Sequence, residues 1–335
     1  MKTGKLPPNI LKRLLVGVSR DATILIGPKI GEDAAAVRFG EKVLVATTDP
    51  ITFACDRIGY YAVAVNINDI AVHGAEPRYF LATILLPEGS SENDAEAVFT
   101  QIKAECERLG VSLIGGHTEI TPTVERMVVC GCMLGETEEG SLISTSGARV
   151  GDVLILAGKI AVEGTSILAR EAKEDLYKHN VPQDIIERAQ TLLDDPGICV
   201  LEYARAAMRA GGITSMHDPT EGGIATALRE LAEACGHGLH IDRAAIEILD
   251  ECAVICKALE LDPLGLIASG SLLIAADPKN VDAILRNLTD CGVQASVIGE
   301  VVKRERGLSF YDGKELPLFE RDELARYFEI YSKAE

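Results

Sequence analysis

Residues 56–86 read DRIGYYAVAVNINDIAVHGAEPRYFLATILL, and this stretch decides the fold. Its first part, residues 56–73, carries Ile58, Ala62, Val65 and Ile70 at helical spacing, and its last part, residues 79–86, is strand-like. Upstream lies a short β-branched run over 43–48. Downstream comes a helical pattern over 91–109 that opens with Ser/Asn cap chemistry, then strand patterns over 111–114 and 127–134. The order β-α-β-α-β-β with short connections predicts an α+β layer in which two helices cover one face of a sheet.

Further out, residues 1–30 read as an irregular arm, with Pro7-Pro8 and Gly27-Pro28 around a short amphipathic helix over 10–16. On the other side, the turn-rich Gly147-Ala148-Arg149-Val150-Gly151-Asp152 precedes a fresh apolar strand over 153–157. The chain's 335 residues exceed one ordinary core, so two domains are expected, 1–150 and 151–335. In the second, helical patterns over 163–175, 184–193, 197–210, 222–235, 251–259 and 278–290 are interspersed with strands over 213–216, 239–241, 271–276 and 294–300. A charged helix over 320–334 closes the chain.

Lys and Arg number 33 against 51 Asp and Glu, a formal net charge of −18. Such a surface repels phosphate backbones and anionic lipid heads, which argues against nucleic acid and membrane surfaces as ligands. A phosphorylated ligand would need local backbone dipoles, a few cations or a bound metal. The nine cysteines are odd in number and lack paired spacing, the apolar run over 14–18 is too short for a signal segment, and no run reaches the ~18 apolar residues of a membrane span. The expectation is a cytoplasmic protein with reduced thiols. Cys130/Cys132 and Cys252/Cys256 read as buried thiols, because nothing nearby completes a zinc ligand set.

Acidic residues stand where strands and turns end. Gly31-Glu32-Asp33 precedes an apolar run, Thr47-Thr48-Asp49-Pro50 ends the first clear strand, and Asn66-Ile67-Asn68-Asp69 puts three polar side chains into an apolar helix. Unpaired charge in such dry surroundings is costly, and a divalent cation compensates several carboxylates at once. Taken singly, Asp33 is equally a turn or cap residue and Asp49 equally a loop residue. Asp69 is the hardest to read as purely structural.

Two glycine pairs follow. Gly115-Gly116-His117-Thr118-Glu119 comes directly after the strand over 111–114, where exposed amides could cradle phosphate or simply make a tight turn. His217-Asp218-Pro219-Thr220-Glu221-Gly222-Gly223 leads into a helix, where free N–H groups suit an anion and Thr220 is the alternative N-cap. No Walker A loop, G-x-G-x-x-G or G-x-S-x-G motif is present.

Together these segments, in this order over residues 27–300, resemble the superfamily of aminoimidazole ribonucleotide (AIR) synthetase, selenophosphate synthetase, thiamine-monophosphate kinase and the hydrogenase maturation protein HypE. The wording NDIAVHGAEP at 68–77, HDPTEGG at 217–223 and LELDPL at 259–264 is most similar to the HypE-like, AIR synthase-related branch. The resemblance implies a ferredoxin-like N-terminal domain that dimerises sheet to sheet into a barrel, and an α/β C-terminal domain of the AIR synthetase type. It implies ATP with Mg²⁺ near the dimer and domain interface, with Asp33, Asp49 and Asp69 on metal or phosphate. By the same resemblance Asn66, Asn68, Gly115, Gly116, His117, Thr118, His217, Asp218, Thr220, Gly222 and Gly223 contribute to the nucleotide site.

The expected function is ATP-dependent activation of a small substrate by phosphoryl transfer. The alternative is a non-catalytic nucleotide-binding partner in hydrogenase or metallocofactor maturation. A homodimer and a maturation-protein partner are implied. Four departures from HypE are visible. Its G-D-T-K loop reads Gly116-His117-Thr118-Glu119, the arginine after Asp-Pro-Thr is Glu221, and Asn-Glu-Gly reads Ala268-Ser269-Gly270. HypE's reactive C-terminal cysteine is not matched, the last cysteine here being Cys291, so that reaction on its own tail is not expected.

Overall fold

Every residue of the helix Ile58–Val72 is buried. A helix apolar on all sides has no solvent face to offer and must be enclosed. Here Val43 and Val45 on the strand before it, and Phe80, Ile84 and Met133 on the strands after it, complete the same core. Gly59 lets a second helix, Glu92–Leu109, come close, since a Cβ there would stand 2.8 Å from Gln101 Cβ and from the Val98 carbonyl. That second helix begins with a reciprocal cap between Ser91 and Asp94 and ends at Gly110 in the left-handed region, φ 70°.

The computed structural model describes residues 4–6, 8–18, 21–54 and 56–331. The chain forms two units, Ser19–Pro28 with Asp33–Leu142, and Met1–Val18 with Lys29–Glu32 and Ile143–Glu335. The first is α+β. Its strands are β1 (Ile24–Ile26), β2 (Ala35–Phe39), β3 (Lys42–Thr47), β4 (Pro50–Ile51), β5 (Glu76–Leu86), β6 (Ser112–Ile120) and β7 (Val128–Thr137). They lie in the order β1-β2-β3-β7-β5-β6, with β4 also on β7. All pairings are antiparallel except β5–β6, whose crossover is the helix Glu92–Leu109.

β6 is longer than its local sequence suggests. Residues Gly115–Glu119, which pattern as a turn after a short strand, continue the strand in parallel register with Leu81–Leu85. Gly116 makes this possible at φ 148°, because a Cβ there would fall 2.0 Å from the Ala82 carbonyl oxygen. All nine β6 residues are exposed on the sheet edge.

The second unit carries β8 (Val153–Ala157), β9 (Ile213–His217), β10 (Gly238–Ile241), β11 (Leu272–Ala276), β12 (Ala295–Val302) and β13 (Leu308–Phe310), in the order β13-β10-β12-β8-β11-β9. Only β10–β13 among these pairings is parallel. β11 is buried at every position, which explains its unbroken apolar run, Leu272–Ala276. Helices include Val162–Glu171, Leu201–Ala210, Gly223–Cys235, Asp250–Ala258, Val281–Asp290 and Glu323–Tyr331. Cys252 and Cys256 form no disulfide, and their sulfurs are in hydrogen-bond contact at 3.8 Å on the buried face of one of them. Among the described residues, no helix is long and apolar enough to cross a membrane.

Candidate functional site

In the first unit the polar residues of the buried helix face the ends of neighbouring strands. Asp69 is 4% exposed. The hydroxyl of Thr47, the last residue of β3, donates to Asp69 Oδ2 at 2.6 Å and lies 3.1 Å from the Asp33 carbonyl oxygen. The next amide, Ala34 N–H, donates to Nε2 of the buried His73 at 3.0 Å, so β2 starts from a fixed point on the same helix's C-terminal end.

Asn66 is fully buried and acts as a brace. Its Oδ1 accepts from the Asp49 amide at 3.0 Å, while Nδ2 donates to the Ala62 carbonyl at 2.8 Å and lies 3.3 Å from the Asp49 carbonyl. Gly131 of β7 donates its N–H to that same Asp49 carbonyl at 2.9 Å. It has to be glycine, because a Cβ would stand 2.4 Å from Asn66 Nδ2. Asn68 is buried on the same helix. Thr47 thus meets the Asp33 backbone and the Asp69 carboxylate, and Asn66 meets the Asp49 backbone. Gly115, Gly116, His117 and Thr118 lie on β6, separated from β3 in the sheet by β7 and β5. His117 Nε2 is 3.1 Å from Glu119 Oε2 on that exposed edge.

The second unit presents the His217–Gly223 turn. His217 ends β9, is 2% exposed and places Nε2 at 3.1 Å from Oε2 of Glu230, which lies on helix Gly223–Cys235. Asp218 is buried beside it. Lys5 reaches this turn from the N-terminal segment. Its Nζ donates to Thr220 Oγ1 at 3.2 Å and lies 3.6 Å from Glu230 Oε1, and its backbone N–H donates to Glu221 Oε2 at 3.0 Å. Burial opposes ionisation of Glu230, but the charges of Lys5 and His217 outweigh it and hold the carboxyl down at about 2.

Gly222 and Gly223 take left-handed conformations, φ 81° and 64°. A Cβ at Gly222 would stand 2.2 Å from Thr226 Oγ1. Both amides are used within the chain. Gly223 N–H donates to the Thr220 carbonyl at 3.0 Å, and Gly222 N–H donates to Asp322 Oδ2 at 2.6 Å.

Three residues of this region escape the local sequence pattern. Asp322, 3% exposed, accepts from Gly222 across a hundred residues and from Leu324 N–H at 2.7 Å. Burial raises its carboxyl to about 7, with the N–H groups of Gly222, Leu324 and Ile267 opposing and the Glu221 charge adding. Glu163, near the start of helix Val162–Glu171, is likewise raised to about 7 by burial, opposed by the nearby Ser269 and reinforced by the charges of Asp322 and Glu221. Glu163 Oε2 and Ser269 Oγ have no hydrogen-bond partner among the described residues. The third is Lys5. The only local signal is Asp322 itself, placed where an N-cap precedes the last helix.

Residues 31–137 match the family described as AIR synthase related protein, N-terminal domain, and residues 149–312 match its C-terminal domain. The carbamoyl dehydratase HypE of Rhizobium leguminosarum bv. viciae is 31% identical over 283 residues, covering 82% of this chain and 78% of that protein. HypE in a crystal structure of the HypE–HypF complex aligns with a TM-score of 0.74 at 21% identity, over 93% of this chain and 99% of that one. A hydrogenase maturation protein HypE solved in complex with ATP aligns with a TM-score of 0.71 at 24% identity, over 94% of this chain and 91% of that one. These two structures share the fold described above.

Proposed function

The chain belongs to the AIR synthase related proteins, and from that premise we propose that it is an ATP-dependent enzyme that activates a small amide, carboxyl or phosphate-acceptor substrate by phosphoryl transfer. The observation that carries this reading is Asp69, a carboxylate 4% exposed inside a wholly buried helix and held by Thr47. A polar carboxyl group is retained in such a place at a cost in stability, which a role in binding explains. That a HypE protein has been solved with ATP supports the same reading.

In this reading Asp33, Asp49 and Asp69 offer the hard carboxylate oxygens that magnesium prefers. These three residues would hold Mg²⁺, which supplies neutralisation of phosphate charge when bound. The chain's own residues prepare the geometry. Thr47 fixes the Asp69 carboxylate, and Asn66 fixes the backbone of Asp49. Asn68, Gly115, Gly116, His117 and Thr118 are assigned to the nucleotide in this reading, and so are His217, Asp218 and Thr220, with Gly222 and Gly223 shaping the turn that carries them. Phosphoryl transfer asks a protein mainly for positioning and charge neutralisation, which such a braced array supplies. An acidic protein can thereby hold a polyanion, with the metal between like charges.

The protein acts as a cytoplasmic homodimer in this reading, with the exposed edge and open face of the first sheet as the dimerising surface. The solved HypE–HypF pair supports a maturation-protein partner. It also favours, as the second reading, a nucleotide-binding role in maturation without turnover. Release of ADP or AMP from Mg-ATP across a panel of small acceptors decides between them. Turnover with any acceptor supports the enzyme, and tight binding with no turnover on the whole panel supports the partner role.

A further inference from the structure

We infer that Asp322 is a positioning residue for the His217–Gly223 turn, its carboxylate filling the place at the start of helix Gly223–Cys235 that the local sequence suits to a ligand anion. The inference rests on the reading that this turn serves the nucleotide. A helix N-terminus with two glycines offers unsatisfied N–H groups to an anion. Here Gly223 N–H is closed onto the Thr220 carbonyl, and Gly222 N–H is met by Asp322 Oδ2 at 2.6 Å. The second oxygen, Oδ1, accepts from Leu324 N–H at 2.7 Å at the start of helix Glu323–Tyr331. One buried carboxyl group therefore bridges the starts of two helices.

The bridge fixes where the turn's other residues stand. Thr220 is two residues from the held Gly222, its carbonyl accepts from Gly223 N–H and lies 3.3 Å from the Ala268 amide, and its hydroxyl faces Lys5. A ligand that uses Asp218 or Thr220 then meets side chains held from behind by Asp322, while the Gly222 amide is not among its donors.

A cap of the last helix alone would need only the bond to Leu324, and asparagine caps a helix as well as aspartate. The bridge needs two acceptor oxygens, and asparagine has one, so its amide nitrogen would point at an N–H. The test is Asp322→Asn, with Mg-ATP affinity measured by calorimetry and folding by thermal melting. The bridge is expected to give a dissociation constant about tenfold higher, in line with one lost hydrogen bond, with the melting transition retained. An affinity equal to the wild type's overturns the positioning role. Amide exchange of the nucleotide-free wild type supplies a readout that needs no variant. Slow exchange at Gly222 supports the bridge, and fast exchange that slows only when Mg-ATP is added overturns it. If the wild type itself binds no Mg-ATP, the functional reading fails, and the positioning role falls with it.

Discussion

Thr47 Oγ1 donates to Asp69 Oδ2 at 2.6 Å, linking the last residue of a strand to a carboxylate in the middle of a buried helix. The bond ties strand β3 to the helix, and the same hydroxyl lies 3.1 Å from the Asp33 carbonyl oxygen. Thr47→Val keeps the shape and removes the donor. It should destabilise the fold by about 1.5–3 kcal/mol, the range for hydrogen bonds to charged groups, read as a lower urea midpoint with an unchanged slope. A midpoint equal to the wild type's would show that the bond contributes nothing.

Asp49→Asn and Asp69→Asn remove negative charge without changing size. Each should raise the dissociation constant for Mg-ATP by about a hundredfold, two tenfold steps of ~1.4 kcal/mol, while far-ultraviolet circular dichroism stays that of the wild type. Unchanged affinity in both variants would make these residues structural.

Gly131→Ala tests the brace behind Asp49. The new Cβ would meet Asn66 Nδ2 at 2.4 Å and Phe80 Cε2 at 2.8 Å. Overpacking of this kind costs about 1–3 kcal/mol. Because Asn66 holds Asp49, ATP affinity should fall along with the melting temperature. A melting temperature lowered with affinity intact would separate the brace from the site.

Glu163 gives a pH dependence of defined sign. Its folded carboxyl is raised to about 7 from an ordinary 4.5, first by burial. The folded state therefore keeps a proton that the unfolded chain releases, so this group's contribution is favourable below about pH 4.5 and is lost as pH rises towards 7. Glu163→Gln should melt above the wild type at pH 8, and the difference should shrink to nothing near pH 4. A gap independent of pH over that range would contradict the burial argument.

Much of this was readable locally. The helix Ile58–Val72 follows from its apolar spacing, and Asp69 stands out because a carboxylate interrupts that pattern. Other features rest on contacts distant in sequence. Gly115-Gly116 has the composition of a turn, yet parallel pairing with β5 extends it as strand. The short strands β1, β4 and β13 carry too few residues for a period of two to register. Gly222-Gly223 looks like an open anion site, and only the fold brings Asp322 onto it. Asn66 patterns with the candidate ligands, while in three dimensions both ends of its amide serve the backbone.

The central claim is that carboxylates braced around Asp69 let an acidic chain hold ATP through magnesium. It is tested most directly by calorimetric titration of the wild type with ATP, first with excess Mg²⁺ and then with chelator. Saturable binding with Mg²⁺ that disappears in chelator is the expected result. No binding at millimolar Mg-ATP, or equal affinity with and without the metal, would contradict it.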